Sequence, residues 1–295
     1  MIESLLANPE HQISPIFVFA DGPKTESDLS AVRDTRRITR QLLGDRAVYV
    51  ESCVNKGLAA SIIEGVSKLC DEFGHVIVIE DDLVLAPSFL AFMNDALKFY
   101  ASTDRVMQVS GYMFDVPAFR ATKEVILLPF VTSWGWATWK RAWKRFDINA
   151  TGWRGMIGNK ADRRKFDLDG NYPYSRMLEK QMNGEIDSWA IRWYFTVYRR
   201  SGQVVYPSTS LVSNEGFDGS GTHIRAASFR GPILAPPPSE GSEFVLAAAT
   251  SDQLESVYRA INYQQKSMKS ARIARVATSV WSAVRRKSES PRSKS

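Results

Sequence analysis

Glu80, Asp81 and Asp82 stand side by side in VIVIEDDLVLAPSFL, directly after four β-branched residues, Val76 to Ile79. Three adjacent carboxylates repel one another at neutral pH, and burying even one of them unpaired costs several kcal/mol or forces it to take up a proton. Something positive should offset them. A hard divalent cation, Mn²⁺ or Mg²⁺, fits, because such ions take oxygen ligands and are often held by one or two carboxylates together with substrate phosphates. A cation held in that way implies a nucleoside diphosphate or a similar ligand. The competing reading is structural: Asp82, just ahead of LVLAPSF, caps a helix and gains from its dipole. Spacing alone leaves both open.

Other residues able to do chemistry are fewer. Asp21 ends the run IFVFA, and Asp187 precedes SWAIRW, where a carboxylate at a helix start is the ordinary reading. In SLVSNEGFDGSGTH, Gly216, Gly219 and Gly221 fall within six residues. A stretch so rich in glycine is either a lid or a place where backbone approaches a ligand closely. His223 ends that stretch, while His11 and His75 have no identifiable partners.

The elements that must position these residues begin with IFVFA as a strand, closed by the turn Asp21-Gly22-Pro23. Leu29, Val32, Ile38, Leu42 and Leu43 then recur near helical spacing, with Ser27 or Asp28 as a cap and Gly44 as a stop. AVYV reads as a second strand, GLAASIIEGVSKLCDEFG as a second helix and HVIVI as a third strand without polar alternation. A strand apolar on both faces belongs inside a sheet covered by helices. The order strand, helix, strand, helix, strand predicts an α/β fold with a largely parallel sheet and right-handed crossovers. In such sheets ligands sit beyond the carboxyl ends of the strands, so Asp21 and the Glu80-Asp81-Asp82 run should share one edge.

Further along, APSFLAFMNDALKFY reads as a helix, and RVMQVSG and VILLPFV as strands. In SWGWATWKRAWKRFD, Trp136, Trp139, Trp143 and Phe146 follow a helical stripe that belongs in a core. Residues 150–170 read as a surface loop or short helical excursion, 174–183 and GEIDSWAIRWYFTVYRRSG as helical, and QVVYP as a late strand. PILAPPPSEGSE looks like a linker. Three segments follow: a catalytic-type domain over 1–230, a linker with a short helix over 231–262, and a basic amphipathic helix with a disordered tail over 263–295.

Of the 38 basic and 32 acidic residues, nine basic and one acidic lie from Gln264 onward, which leaves 29 basic against 31 acidic side chains in the body. The body therefore lacks the basic field that nucleic-acid binding requires. In MKSARIARVATSVWSAVRRK, Ile273, Val276, Val280, Trp281 and Val284 share one helical face and Lys269, Arg272 and Arg275 another. That pattern suits contact with anionic lipid headgroups, or docking on the protein's own domain. Cys53 and Cys70 are the only cysteines and form neither a CxxC nor a Cys/His metal spacing. A reducing compartment, no signal segment at MIESLLANPEHQ and no apolar run of spanning length predict a cytoplasmic protein, peripheral at the inner face of the membrane if the tail binds lipid.

The motifs VIVIEDDLVLAPSFLAFM, VSGYM, SWGWATWKRAWKRF, IDSWAIRW and SLVSNEGFDGSGTH occur in one order over roughly residues 1–225. In this the chain resembles glycosyltransferases of the GT-A type, in particular the N-acetylglucosaminyltransferases that begin complex N-glycan branching, and a group of bacterial surface-polysaccharide glycosyltransferases. The resemblance implies a Rossmann-like GT-A fold and transfer, with inversion, of a sugar from a nucleotide-diphospho-sugar, most simply a UDP-sugar, to a glycan or lipid-linked acceptor. Asp82 would hold the Mn²⁺ or Mg²⁺, while Glu80 and Asp81 would contact donor sugar and ribose hydroxyls. Asp21 would approach the uracil or ribose, and Asp187 would be the general base. The loop around Gly219 and Ser220 would close over the donor, with His223 as a second metal ligand or phosphate contact. MIESLLANPE resembles the later half of that fold's first helix, so the sheet is expected to lack its first strand. Two further readings are a catalytically degenerate nucleotide-sugar-binding or assembly subunit, and a metal-dependent phosphohydrolase, which needs more cation ligands than the sequence offers.

Overall fold

The computed structural model describes residues 1–216 and 242–267. The chain opens with a short helix, α1 (Ile2–Leu6), and continues as β1 (Ile16–Ala20), α2 (Leu29–Leu43), β2 (Ala47–Glu51), α3 (Leu58–Phe73) and β3 (His75–Val78). β4 (Leu83–Leu85), α4 (Phe89–Phe99), β5 (Val106–Ser110), β6 (Ile126–Leu128), β7 (Trp136–Trp139) and α5 (Lys140–Trp143) follow. Then come α6 (Trp153–Gly158), α7 (Lys160–Phe166), α8 (Tyr174–Met182), α9 (Trp189–Arg199), β8 (Gln203–Tyr206) and β9 (Val212–Asn214). Residues 251–267 are helical. The alternation of strands and helices makes this a mixed α/β protein.

The pairing is less parallel than the element order suggests. β1 and β2 pair in parallel, whereas β3 joins a five-stranded sheet ordered β3-β7-β5-β8-β6. Within that sheet β5 and β8 are parallel, and the β3–β7, β5–β7 and β6–β8 pairs are antiparallel. The expectation of a largely parallel sheet is corrected accordingly: β3 finds its partner in the tryptophan-bearing strand, not in β1. β1 and β3 nevertheless send side chains into the same apolar clusters. Phe17, Phe19, Val76 and Val78 enter one apolar cluster, and Ile16, Ile77 and Ile79 the other. α3 spans both strands on the first side, with the Phe17 and Phe73 rings 5.5 Å apart and Val66, Leu69 and Cys70 clustered with Val76. β1 and β2 form a two-stranded sheet of their own, and every residue of β1 stays half-buried where all of β5 is buried.

The tryptophans are core, as their apolar spacing suggests, but on a different scaffold. Trp136–Trp139 is strand, and only Lys140–Trp143 is helical. Aromatic and β-branched residues suit the pleated surface, and the strand sends Trp136 to one cluster and Trp139 to the other. Trp136 stacks on Trp189 at 4.7 Å between ring centres, and Trp143 lies 5.0 Å from Trp193. Trp193 Nε1 donates to the buried Gln108 Oε1 at 2.8 Å, and Gln108 Nε2 donates to the Thr132 carbonyl at 2.8 Å. Every polar atom of this pair of side chains is satisfied, as burial demands.

α2 departs from its expected face. Leu43 is buried, but Leu29, Ile38 and Leu42 are exposed, and the inward positions are Val32, Arg36, Thr39 and Leu43. Arg36 takes the place of an apolar anchor by donating from Nη2 to the Ser52 carbonyl at 2.7 Å and the Asp21 carbonyl at 3.1 Å, just past the ends of β2 and β1. The 150–170 region forms α6 and α7. The segment after residue 242 packs on the body: the Val125 amide donates to the Glu243 carbonyl at 3.0 Å, the Ala249 amide donates to the Leu127 carbonyl at 3.1 Å, and Val257 and Ile261 are fully buried. Residues 268–295, with the basic amphipathic stretch, lie outside the described residues.

Candidate functional site

β3 ends at Val78, and the chain turns through Glu80, Asp81 and Asp82 into β4, with the Leu83 amide donating to the Glu80 carbonyl at 3.3 Å. The residues after Asp82 are strand, so the helix-cap reading of this carboxylate does not hold. β4 pairs antiparallel with β9, placing Leu83 opposite Asn214 and Leu85 opposite Val212. This short ribbon carries Asn214 to the carboxylates: its Nδ2 donates to Asp82 Oδ2 at 2.9 Å. The Glu215 amide donates to the Asp82 carbonyl at 2.8 Å, and the Gly216 amide to Asn214 Oδ1 at 2.8 Å. A β-carbon on Gly216 would lie 2.8 Å from Asp82 Oδ2, so only glycine fits there without displacing the carboxylate.

The electrostatics of the run match the conflict legible in the sequence. Burial pushes the Glu80 carboxyl up to about 7, with the Asp82 and Asp81 charges adding to the shift. Asp82 is also raised by burial, opposed by the hydrogen bond from Asn214 and reinforced by Asp81. Asp82 Oδ1 is buried and has no hydrogen-bond partner among the described residues. Asp81 is exposed. A desolvated carboxyl beside a second carboxylate with an orphaned oxygen is the kind of donor set that a hard cation completes when a ligand's phosphates supply the remaining oxygens. Among the described residues no three His, Cys, Asp or Glu side chains converge as a self-sufficient metal cage.

Asp21 and Asp187 form a second group, at the start of α3. Asp21 Oδ1 accepts from the amides of Gly22 and Lys56, both at 2.8 Å, and Oδ2 accepts from Gly57 at 2.9 Å. Partial burial alone would raise this acid, but the backbone donors outweigh it and hold the carboxyl below its usual value. Gly57 has φ of +80°, a conformation that favours glycine, and the N-terminus of α3 follows it. Asp187 Oδ2 accepts from the Ala59 amide at 3.4 Å, and Oδ1 lies 4.0 Å from Arg192 Nη2, with 61% of the side chain exposed. The cap of α9 is Ser188, whose Oγ accepts from the Ile191 amide at 3.4 Å. Asp187 therefore serves the helix start of α3, not that of α9.

Glu80, Asp81 and Asp82 are thus gathered with Asn214, and Asp21 with Asp187; no hydrogen bond or ion pair among the described residues joins the two groups. Gly219, Ser220 and His223 lie outside the described residues. Asn214 was not singled out from the sequence, although the alternation in Val212-Ser213-Asn214 before Glu215-Gly216 was the available signal for a strand ending at a turn.

The class that fold and geometry define is a mixed α/β protein with a carboxylate turn at the end of a sheet strand. No protein-family model and no curated protein matches the chain. Among the described residues no helix is long and apolar enough to cross a membrane.

Proposed function

We propose that this protein is a metal-dependent, inverting glycosyltransferase of the GT-A type that moves a sugar from a UDP-linked donor to a glycan or lipid-linked acceptor in surface-polysaccharide synthesis. The observation that carries the reading is the buried Oδ1 of Asp82, without a hydrogen-bond partner among the described residues, beside the desolvated Glu80 just after β3. Asp82 would hold Mn²⁺ or Mg²⁺ against the donor diphosphate, and when bound the cation offsets charge on that leaving group. Glu80 and Asp81 would accept or exchange hydrogen bonds with donor sugar and ribose hydroxyls. Asp187, open to solvent beside the start of α3, would take the proton from the acceptor hydroxyl as its oxygen attacks the anomeric carbon from the face opposite the diphosphate. Inversion follows from that arrangement. Asp21 spends its carboxylate on three backbone amides, so its part in the donor pocket would be to hold the loop at Lys56-Gly57.

A second reading is favoured by a specific observation. Asp187 accepts from the Ala59 amide and faces Arg192, contacts that suit a structural carboxylate as well as a base, so a catalytically degenerate nucleotide-sugar-binding or assembly subunit is the alternative. Incubation with UDP-hexoses and UDP-N-acetylhexosamines, with glycan and lipid-linked acceptors, separates the two. Metal-dependent UDP release that requires an acceptor and falls about 10²- to 10⁴-fold in Asp187→Asn supports the transferase. Donor binding without acceptor-dependent release supports the binding subunit, and the absence of both refutes the proposal.

A further inference from the structure

Asp82 does not choose its own orientation. Asn214, only 9% exposed, is fixed in one amide orientation because the Gly216 amide can only donate, which assigns the atom facing it as Oδ1. The Nδ2 group is thereby turned to Asp82 Oδ2, and the carboxylate is left presenting Oδ1, which has no hydrogen-bond partner among the described residues. The Asp82 main chain is pinned from the same turn by the Glu215 amide. Gly216 fills the remaining side of this clamp, since a β-carbon there would meet Asp82 Oδ2 at 2.8 Å and Asn214 Oδ1 at 3.1 Å.

We propose that Asn214 is the positioning residue of the cation site, holding Asp82 through Oδ2 so that Oδ1 alone faces the ion, with Gly216 as the spacer that lets the clamp close. This rests on the donor-site reading above. Partners that orient a metal ligand in this manner typically govern affinity by 10- to 100-fold. The clamp joins β4 to β9, so the register Leu83 to Asn214 is itself part of the site. It also couples the chain leaving β9 to Asp82: displacement of Gly216 would release the Asn214 acceptor and, with it, the donor that fixes the carboxylate.

The test uses the full chain. Mn²⁺ uptake in the presence of UDP is followed by electron paramagnetic resonance for the wild type, Asn214→Ala, Gly216→Ala and Asp82→Ala, with thermal melting as a check on folding. The side-chain amide signals of Asn214, assigned by their loss in Asn214→Ala, are followed by nuclear magnetic resonance without metal. Expected is a loss of Mn²⁺ affinity of at least 10-fold in folded Asn214→Ala and Gly216→Ala, a changed Mn²⁺ line shape, and Asn214 amide signals that move in Asp82→Ala. Wild-type affinity and line shape in Asn214→Ala overturn the proposal, even if that variant melts earlier, because a purely structural role would change only the melting. Amide signals that do not respond to Asp82→Ala overturn it as well. A wild type that takes up no Mn²⁺ overturns the donor-site reading, and is distinguished from failure of the clamp by Asn214 signals that still respond to Asp82→Ala.

Discussion

Replacing Glu80 with glutamine in the metal-free protein should stabilise it, and by an amount that depends on pH. The side chain keeps its size and loses its charge. In the folded protein burial and the two neighbouring aspartates lift the Glu80 carboxyl from 4.5 to about 7. An acid whose folded value exceeds its unfolded value binds its proton more tightly when folded, so stability falls as the pH rises from about the unfolded value to about the folded one. At 1.36 kcal/mol per pH unit, the full span amounts to roughly 3 kcal/mol lost by pH 8. Glu80→Gln avoids that loss. For a chain of this size the gain corresponds to about 6 °C in Tm at pH 8, shrinking toward zero near pH 5. Melting of both proteins in chelator from pH 5 to 8 measures it. Mn²⁺ with UDP should then narrow the gap at pH 8 by stabilising the wild type more. A Tm difference that is constant across this range would refute the reasoning, because it would mean that Glu80 is not held in a desolvated, anion-crowded position.

Three further outcomes follow from contacts elsewhere. Asp21→Ala strips acceptors from the amides of Gly22, Lys56 and Gly57 and should cost about 2 kcal/mol in urea unfolding at pH 7; since the Asp21 carboxyl is lowered, the difference should fade as the pH drops below its unfolded value near 3.8. Gly57→Ala forces a β-carbon onto a residue with φ of +80° and toward Asp187 Oδ2 at 3.2 Å, and should lower stability by roughly 1–2 kcal/mol in the same assay. Trp193→Phe keeps most of the packing against Trp143 but leaves the buried Gln108 Oε1 without its donor, for a loss of roughly 1–3 kcal/mol measured by thermal melting.

The elements that proved legible were those with strong local signals. Strand β1 ends just before Asp21-Gly22-Pro23 and α3 just before Gly74, and α4, α8 and α9 fall within the stretches that read as helical. What could not be read was pairing. The run Val76 to Ile79 announces a strand buried on both faces, but nothing in it says that its neighbour is Trp136–Trp139, some sixty residues on and antiparallel. The Trp stripe misled because 136, 139 and 143 fit a helix as well as a strand that turns into one. α2 misled for a different reason: Arg36 satisfies three carbonyls at the sheet end, a role that apolar periodicity does not register. The same gap affects the site. Crowding in Glu80-Asp81-Asp82 was visible as chemistry, whereas Asn214 enters only through the β4–β9 register, and two of the three backbone amides that occupy Asp21 come from a loop some 35 residues away.

The most direct test of the donor-site reading is a calorimetric titration of the purified protein with UDP, with and without Mn²⁺, beside Asp82→Ala. The account predicts binding that requires Mn²⁺ in the wild type and is lost in a folded Asp82→Ala protein. Binding that is indifferent to Mn²⁺, or that survives in Asp82→Ala, would contradict it.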